Sequence, residues 1–280
     1  MPVAKKYTIA DYIIIAFFVI LSIIMIIPIY KVFIDSIDLK TAYGMKLFPE
    51  QFGLDGYISV FTNPTLFRPF LISCFTTICG TFVGLAISTL GAYVLIQDKM
   101  PGRGLFSKML LFTMIFNGGM IPTYLVMKSL GLTNTLWVVI LLPALNVYNL
   151  VLMKNFFEGI PTSLFESAEI DGCSPMKIFF IIVLPLSKAA LTAIGLMFAV
   201  SYWNDYTNYK LYITNDMLYN FQMKLRSVIL GSDLPSALGS ATENTIKNAA
   251  IIVAILPFMI IYPFCQKYFI QGVNIGAVKE

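Results

Sequence analysis

The chain is long but poor in charge. Its 280 residues are 58% hydrophobic and 12% charged, with a net charge of +4 and no histidine. A soluble domain carries about 25% charged residues, so this composition excludes a water-soluble fold of this length. The lack of histidine excludes Ser-His pairs and HExxH zinc sites, and the small charge disfavours a nucleic-acid partner. We therefore predict an all-α integral membrane protein, with no metal site and no nucleic acid bound.

Runs without Lys, Arg, Asp or Glu locate the membrane spans. About 20 helical residues cross the roughly 30 Å hydrocarbon core, because a helix rises about 1.5 Å per residue. Five runs are long enough, and a sixth span requires that Lys188 reach the headgroups from inside a helix. We predict a single transmembrane domain, residues 1–280, with six helices over residues 12–34, 69–97, 109–127, 135–153, 182–203 and 248–266.

Six spans place both termini on one side of the membrane. The short segments on that side, such as 97–104, are denser in Lys and Arg, which predicts that both termini are cytoplasmic. Residues 154–181 then form an inside loop and residues 204–247 an outer loop. The first apolar stretch is too long for a signal peptide, so we expect it to remain as an uncleaved span.

The inside loop predicts two short helices joined by a sharp turn. Ser163, followed by Glu166 three residues later, has the pattern of a capping box that starts a helix. Gly172 suits the left-handed position that ends a helix, and Ser174-Pro175 supplies an N-cap and a proline at the first helical position. The first helix is acidic, which favours docking of a protein over the alternative of a helix lying on lipid headgroups.

The spacing of this loop also resembles a known pattern. Glu166-Ser167-Ala168 is followed after three residues by Gly172 and after nine more by Ile182-Val183-Leu184-Pro185. This is similar to the EAA loop of permease subunits of bacterial ATP-binding-cassette importers, with Ser167 and Cys173 where alanine is common. The loop is therefore expected to be a cytoplasmic coupling-helix loop.

Three further segments resemble the carbohydrate permeases of that family. The tail that ends Gly276-Ala277-Val278-Lys279 is similar to that of the maltose-type second permease, and Trp203-Asn204-Asp205 also fits carbohydrate permeases. The segment Asn117-Gly118-Gly119-Met120-Ile121-Pro122-Thr123 is similar to the complex-oligosaccharide branch of Gram-positive bacteria.

The resemblance implies a permease subunit of an importer for carbohydrate, an oligosaccharide in this branch, in the lipid bilayer of the bacterial plasma membrane. The pore would form with a second permease of a different chain, and an extracellular solute-binding protein would deliver the sugar. A homodimeric cytoplasmic ATPase would bind ATP and Mg, so this chain would hold no cofactor and perform no catalysis. No stretch of the chain reads GxxxxGK[ST], in agreement with that division of labour.

The resemblance also assigns roles to residues. Glu166 is expected to pair with a basic residue of the ATPase, Ala168 and Gly172 to allow close contact, and Asp171 to brace the turn. Leu184-Pro185 is expected to set the next helix into the membrane, and the tail to reach between the ATPase subunits. The expected coupling residues are Glu166, Ser167, Ala168, Asp171, Gly172, Leu184, Pro185, Gly276 and Lys279.

Polar side chains inside spans mark either a substrate path or contacts between helices, because they are costly in a membrane. Amides and aromatic rings suit sugars, so the candidate path residues are Asn117, Asn146, Tyr148, Asn149, Trp203 and Asn204. The alternatives are interhelical hydrogen bonds for the asparagines and an interfacial aromatic belt for Trp203. The alternative function, a secondary transporter driven by an ion gradient, requires buried acids that the charge-free spans lack.

The outer loop contains an amphipathic segment. Residues 221–230 place Phe221, Leu225, Val228 and Ile229 on one helical face, which predicts an interfacial helix. Residues 231–240 are rich in turn formers and would extend a flexible tip. The maltose-type permease has a loop in this interval that helps dislodge sugar from the binding protein, and the tip is expected to act similarly. A plain connector is the alternative.

Overall fold

Helices form nearly all of the regular structure. The computed structural model describes residues 8–40, 44, 46–231 and 242–277, with side chains up to residue 266, and in this part of the chain there is no strand beyond an isolated bridge between Asp38 and Phe52. In chain order, the helices are α1 (Ile9–Ile37), α2 (Asp55–Thr62), α3 (Pro64–Ile96), α4 (Arg103–Ile115), α5 (Met120–Ser129), α6 (Leu136–Ala144), α7 (Val147–Glu158), α8 (Thr162–Ile170), α9 (Pro175–Ile178), a π-helix (Phe179–Val183), α10 (Leu184–Leu186), α11 (Lys188–Trp203), α12 (Thr207–Tyr212), a 3₁₀ turn (Asp216–Leu218), α13 (Phe221–Ile229) and α14 (Glu243–Ala277).

Only half of the predicted spans are single helices. The helices α1, α3 and α14 are each long and apolar enough to cross a membrane. The other candidates are bent pairs: α4 with α5 at 117°, α6 with α7 at 44°, and Pro175–Leu186 with α11 at 81°. Counting each pair as one span gives up to six, but residues 109–127, 135–153 and 182–203 are not the continuous helices that the sequence predicted.

Each break has a local cause. At the first, Gly119 has a φ of +92° and its N–H donates to Asn117 Oδ1 at 2.8 Å, a turn that an α-helix does not accommodate. At the second, the Asn146 side chain caps the start of α7. At the third, Pro185 has no N–H to donate to the preceding turn, and the chain widens into the π-helix just before it.

The helices of the chain group into two compact units by their contacts, and the predicted single transmembrane domain stays a prediction. One contains Met1–Phe67 and Leu225–Leu256, and the other contains Arg68–Lys224 and Pro257–Glu280. The apolar runs identify the spans, but they carry no information on which helices pack tightly together. That grouping depends on side-chain contacts between distant parts of the chain.

In the first unit, Asp38 ties the end of α1 to the segment that follows it. Its buried carboxylate accepts main-chain N–H bonds from Lys40, Glu50 and Gln51 at 3.0 to 3.1 Å, and its carbonyl accepts the Thr245 hydroxyl at 2.8 Å. Burial by itself would raise the pKa of this carboxyl, but the three N–H donors outweigh it and lower the pKa below its usual value.

In the second unit, glycines allow α3 and α11 to pack closely. A Cβ atom on Gly80 would lie 2.5 Å from the Tyr202 ring, and one on Gly84 would lie 2.7 Å from the Phe198 ring. Small residues four apart permit this approach between membrane helices. The Tyr202 ring lies against α3, and its hydroxyl donates to the Ile140 carbonyl of α6 at 2.6 Å. The helices α3, α6 and α11 therefore form one packed group.

The loops of the second unit group at two ends. Lys99, in the α3–α4 loop, pairs with Glu169 of α8 at 3.1 Å. The α5–α6 loop instead meets the outer loop, where the Asn134 N–H donates to the Tyr212 carbonyl at 2.8 Å. The helices α6 and α7 connect the α5–α6 loop at one end to α8 at the other. The α3–α4 loop therefore lies at the same end as residues 154–181, and the α5–α6 loop lies at the opposite end.

The predicted amphipathic helix exists as α13, but it is not a lipid-surface helix. Phe221, Leu225 and Val228 are buried, and Ile229 is about half exposed (48%). Protein rather than lipid therefore covers most of its apolar face, which corrects the interfacial interpretation. The expected flexible tip, residues 232–240, lies outside the described residues.

Candidate coupling surface

The first coupling helix begins without the predicted capping box. Pro161 is the N-cap of α8, and no side chain accepts a hydrogen bond there. Because the proline fixes φ at a helical value, the helix starts at Thr162 and places Ser163 inside the first turn. The Ser167 hydroxyl donates to the Ser163 carbonyl at 2.8 Å, and Glu166 remains exposed.

The turn after α8 is a Schellman motif. The Cys173 N–H donates to the Ala168 carbonyl at 2.9 Å, and the Gly172 N–H donates to the Glu169 carbonyl at 3.0 Å. Gly172 has a φ of +75°, as the sequence predicted. Asp171 is exposed, and its carboxylate bonds to no residue that the structure describes, so main-chain bonds rather than Asp171 brace this turn.

Ala168 faces the protein's own core. It is 6% exposed and belongs to a buried cluster with Met153, Ile178 and Phe179. Its small size therefore lets α8 lie close to the membrane helices, while the contact between Ala168 and an ATPase stays a prediction. The outer face of α8 instead presents acidic side chains and Ile170, which is 86% exposed and which the sequence analysis missed.

A second helix connects the turn to the membrane helices. The Ser174 hydroxyl accepts the Lys177 N–H at 3.4 Å, and Pro175 occupies the first helical position, both as predicted. The Tyr93 hydroxyl of α3 donates to the Pro175 carbonyl at 2.8 Å, and its ring lies 5.0 Å from that of Phe179. This anchor joins residues 82 apart in the chain, and no local sequence pattern indicates it.

The remaining expected coupling residues lie away from α8. Leu184 is partly buried at the end of the π-helix, and Pro185 is exposed in the short α10 before the 81° bend. Gly276 lies in the last turn of α14, and Lys279 lies outside the described residues.

A cavity of about 460 Å³ separates α8 from the α3–α4 loop. Its apolar floor includes Phe157, Ile160 and Phe165. Four carboxylates and two bases surround this floor, and both bases are already paired, so the surface suits a cationic protein group. The charged lining residues are Asp98, Lys99, Arg103, Glu158, Glu166 and Glu169.

The polar candidates of the substrate path have different environments. Asn117 and Asn146 shape the breaks in their helices, since each side chain accepts a nearby main-chain N–H. Tyr148 is 49% exposed. Asn149 is 3% exposed, and its Oδ1 bonds to no described residue, so this atom carries an unmet hydrogen-bonding requirement inside the helix bundle.

Trp203 and Asn204, the two candidates near the outer loop, make contacts within the protein or within their own helix. Trp203 is 3% exposed and lies edge-on to Phe70 at 5.9 Å and Phe258 at 6.2 Å, so it belongs to the packed interior rather than to an interfacial belt. Asn204 is exposed, and its amide donates to the Val200 carbonyl at 2.9 Å. The structure does not bring these two residues together with the asparagines of the third and fourth spans.

Three long apolar helices and three bent apolar pairs, with the acidic helix α8 between two of those pairs, define a multi-pass membrane protein. Residues 8–275 match the binding-protein-dependent transport system inner membrane components, and the chain belongs to this family. The family is one of transport permeases of the bacterial plasma membrane, which sets aside the secondary-transporter alternative.

Relatives from Bacillus subtilis (strain 168) cover most of the chain. The polygalacturonan/rhamnogalacturonan transport system permease protein YtcP is 40% identical over 98% of this chain and 99% of its own length. Protein LplC is 45% identical over 83% of this chain and 81% of its own length. Among solved structures, a bacterial ABC transporter involved in the import of the acidic polysaccharide alginate superimposes with a TM-score of 0.86, at 30% identity, over 95% of this chain and 100% of that chain.

Proposed function

We propose that the chain is a permease subunit of an ATP-binding-cassette importer for an oligosaccharide. Its similarity to YtcP over nearly the full length of both chains supports the carbohydrate class. The pore would form with a second, different permease, and an extracellular solute-binding protein would deliver the sugar. The side that carries α8 would be cytoplasmic, and so would both termini.

The coupling role is supported by the way in which α8 is attached to the rest of the chain. Its outward face is acidic and exposed, while Ala168, the Schellman turn and the Tyr93 anchor hold its inner face to the membrane helices. A helix attached in this way can receive a push from a docked protein and pass it to the membrane domain. We propose that Glu166 meets a basic residue of a homodimeric ATPase and that Ile170 fills an apolar contact beside it.

The remaining roles belong to other parts of the assembly. ATP and Mg would bind to the ATPase, and this chain would hold no cofactor. Asn149 is the strongest candidate for a sugar contact, because its buried Oδ1 lacks a partner among the described residues. The tail, from Gly276 to Lys279, would extend towards the ATPase subunits.

The test is co-purification of the ATPase with the membrane complex. Glu166→Lys should weaken binding by more than about tenfold, because a like-charge contact at an interface costs several kcal/mol. Asp216→Lys is the matched control, since Asp216 is an exposed acid in the outer loop. Equal recovery of the ATPase with both variants would contradict the docking role.

A further inference from the structure

The helix α4 packs against α7 but only at the surface of the chain. None of its side chains is buried, although it forms the first half of the broken third span. It ends at a break of 117°, where Gly119 turns the chain into α5. Its packing against the rest of the chain is therefore shallow, and the ion pairs of its first residue, Arg103, add a charged connection at its start.

The Arg103 guanidinium reaches two carboxylates at once. One nitrogen lies 2.5 Å from Asp98 Oδ1 in the preceding loop, and another lies 3.7 Å from Glu158 Oε1 at the end of α7. The second distance is that of an ion pair rather than a hydrogen bond, so it can shorten or open at low cost. Lys154 holds the same Glu158 oxygen at 2.6 Å and keeps it in place.

Glu158 lies only three residues before Pro161, the N-cap of α8. Phe157 and Ile160, on either side of Glu158 and Gly159, are buried, so Glu158 and the start of α8 are held to the same core. The other charged pair across this cavity, Lys99 with Glu169, is 89% and 54% exposed and contributes little. The Arg103 and Glu158 side chains are 32% and 41% exposed, so this pair is shielded better than the pair of Lys99 with Glu169.

We propose that Arg103 is a positioning residue that transmits movement of the coupling helix α8 to α4 and hence to the break in the third span. This inference rests on the proposed function, because it requires that an ATPase move α8. The Arg103–Glu158 pair makes α4 follow the end of α7, whereas the Arg103–Asp98 pair only shapes the α3–α4 loop.

The experiment measures the position of α4 in the assembled complex. Spin labels replace two exposed residues, Met114 of α4 and Phe82 of α3, after the four native cysteines are changed to serine. Their separation is compared before and after trapping the complex with ATP and vanadate. We expect a shift in the parent complex, and loss of that shift in Arg103→Ala and in Glu158→Gln.

The matched control is Asp98→Asn, which removes the other carboxylate of Arg103 and should keep the shift. The combined variant Arg103→Ala with Glu158→Gln should behave like either single one, because both remove the same interaction. The inference is overturned if Arg103→Ala retains the parent shift, or if Asp98→Asn abolishes it equally. Failure of the ATPase to co-purify with the parent would instead overturn the proposed function, and the inference with it.

Discussion

Replacement of Gly172 separates the backbone requirement of the coupling turn from any contact with a partner. Gly172 has a φ of +75°, and a Cβ atom built on it would meet no atom within 4 Å. Gly172→Ala therefore adds no clash within the chain, and its cost is that of the left-handed conformation, about 1–2 kcal/mol. The turn should then open about 5 to 30 times more often.

Hydrogen exchange of the Cys173 amide measures this opening, because its bond to the Ala168 carbonyl, 2.9 Å long, closes the motif. In the purified permease we expect faster exchange in Gly172→Ala by that factor, and a smaller effect in Gly172→Asn, since asparagine tolerates the left-handed region better. An unchanged rate in Gly172→Ala, or a larger effect in Gly172→Asn, would refute the reasoning.

Gly172→Arg extends the test to the partner. Arginine and alanine have a similar backbone cost at this φ, so the Cys173 amide should exchange at similar rates in both variants. If an ATPase approaches Gly172 closely, only the arginine variant should lose ATPase co-purification. Equal ATPase recovery with the two variants would show that nothing docks closely at this position.

Three further outcomes are expected. Gly84→Ala should lower the free energy of unfolding by about 1–3 kcal/mol, because the new Cβ atom would lie 2.7 Å from the Phe198 ring. Gly104→Ala is the control, since a Cβ atom there meets no atom within 4 Å and should not lower stability. Thermal melting of the purified permease compares the two variants. Tyr93→Phe removes the side-chain donor of the Pro175 carbonyl, which also accepts the Phe179 N–H, and should cost about 1 kcal/mol in the same melting assay. Because the pKa of Asp38 is lower in the folded protein than its ordinary value of 3.8, the ionised carboxylate stabilises the fold above pH 3.8, and this contribution is lost as the pH falls through the folded pKa. Stability of the Asp38→Asn variant should therefore fall less steeply at acid pH.

The sequence predicted those parts of the site that depend on local chain geometry. Gly172 and Ser174-Pro175 have the conformations expected of them, because a left-handed C-cap and a serine N-cap are decided by the few residues around them. The capping box at Ser163 was wrong for a similarly local reason, since Pro161 already occupies the N-cap two residues earlier. Two local patterns could start this helix, and the proline, whose ring fixes φ, determines where it begins.

Burial was less predictable than conformation. Ala168 and Gly172 were expected to face the same partner, but α8 ends between them, and Ala168 packs into the core while Gly172 stays exposed. Trp203 could have belonged to an interfacial belt, yet two rings distant in the chain enclose it. Neither outcome is encoded near the residue, because it depends on which helix arrives on that side.

The amino-acid sequence by itself determined that the protein lies in a membrane, where its apolar segments run, and where the chain turns at Gly172 and restarts a helix at Ser174-Pro175. Charge-free length and cap residues act over one helix or one turn, so a single chain segment suffices to determine them. Only the tertiary structure decided that Tyr93 ties the start of α9 to α3 and that Arg103 pairs α4 with the end of α7. Those features arise from contacts between residues that lie as many as 82 positions apart, where the energy depends on packing in space rather than on order along the chain.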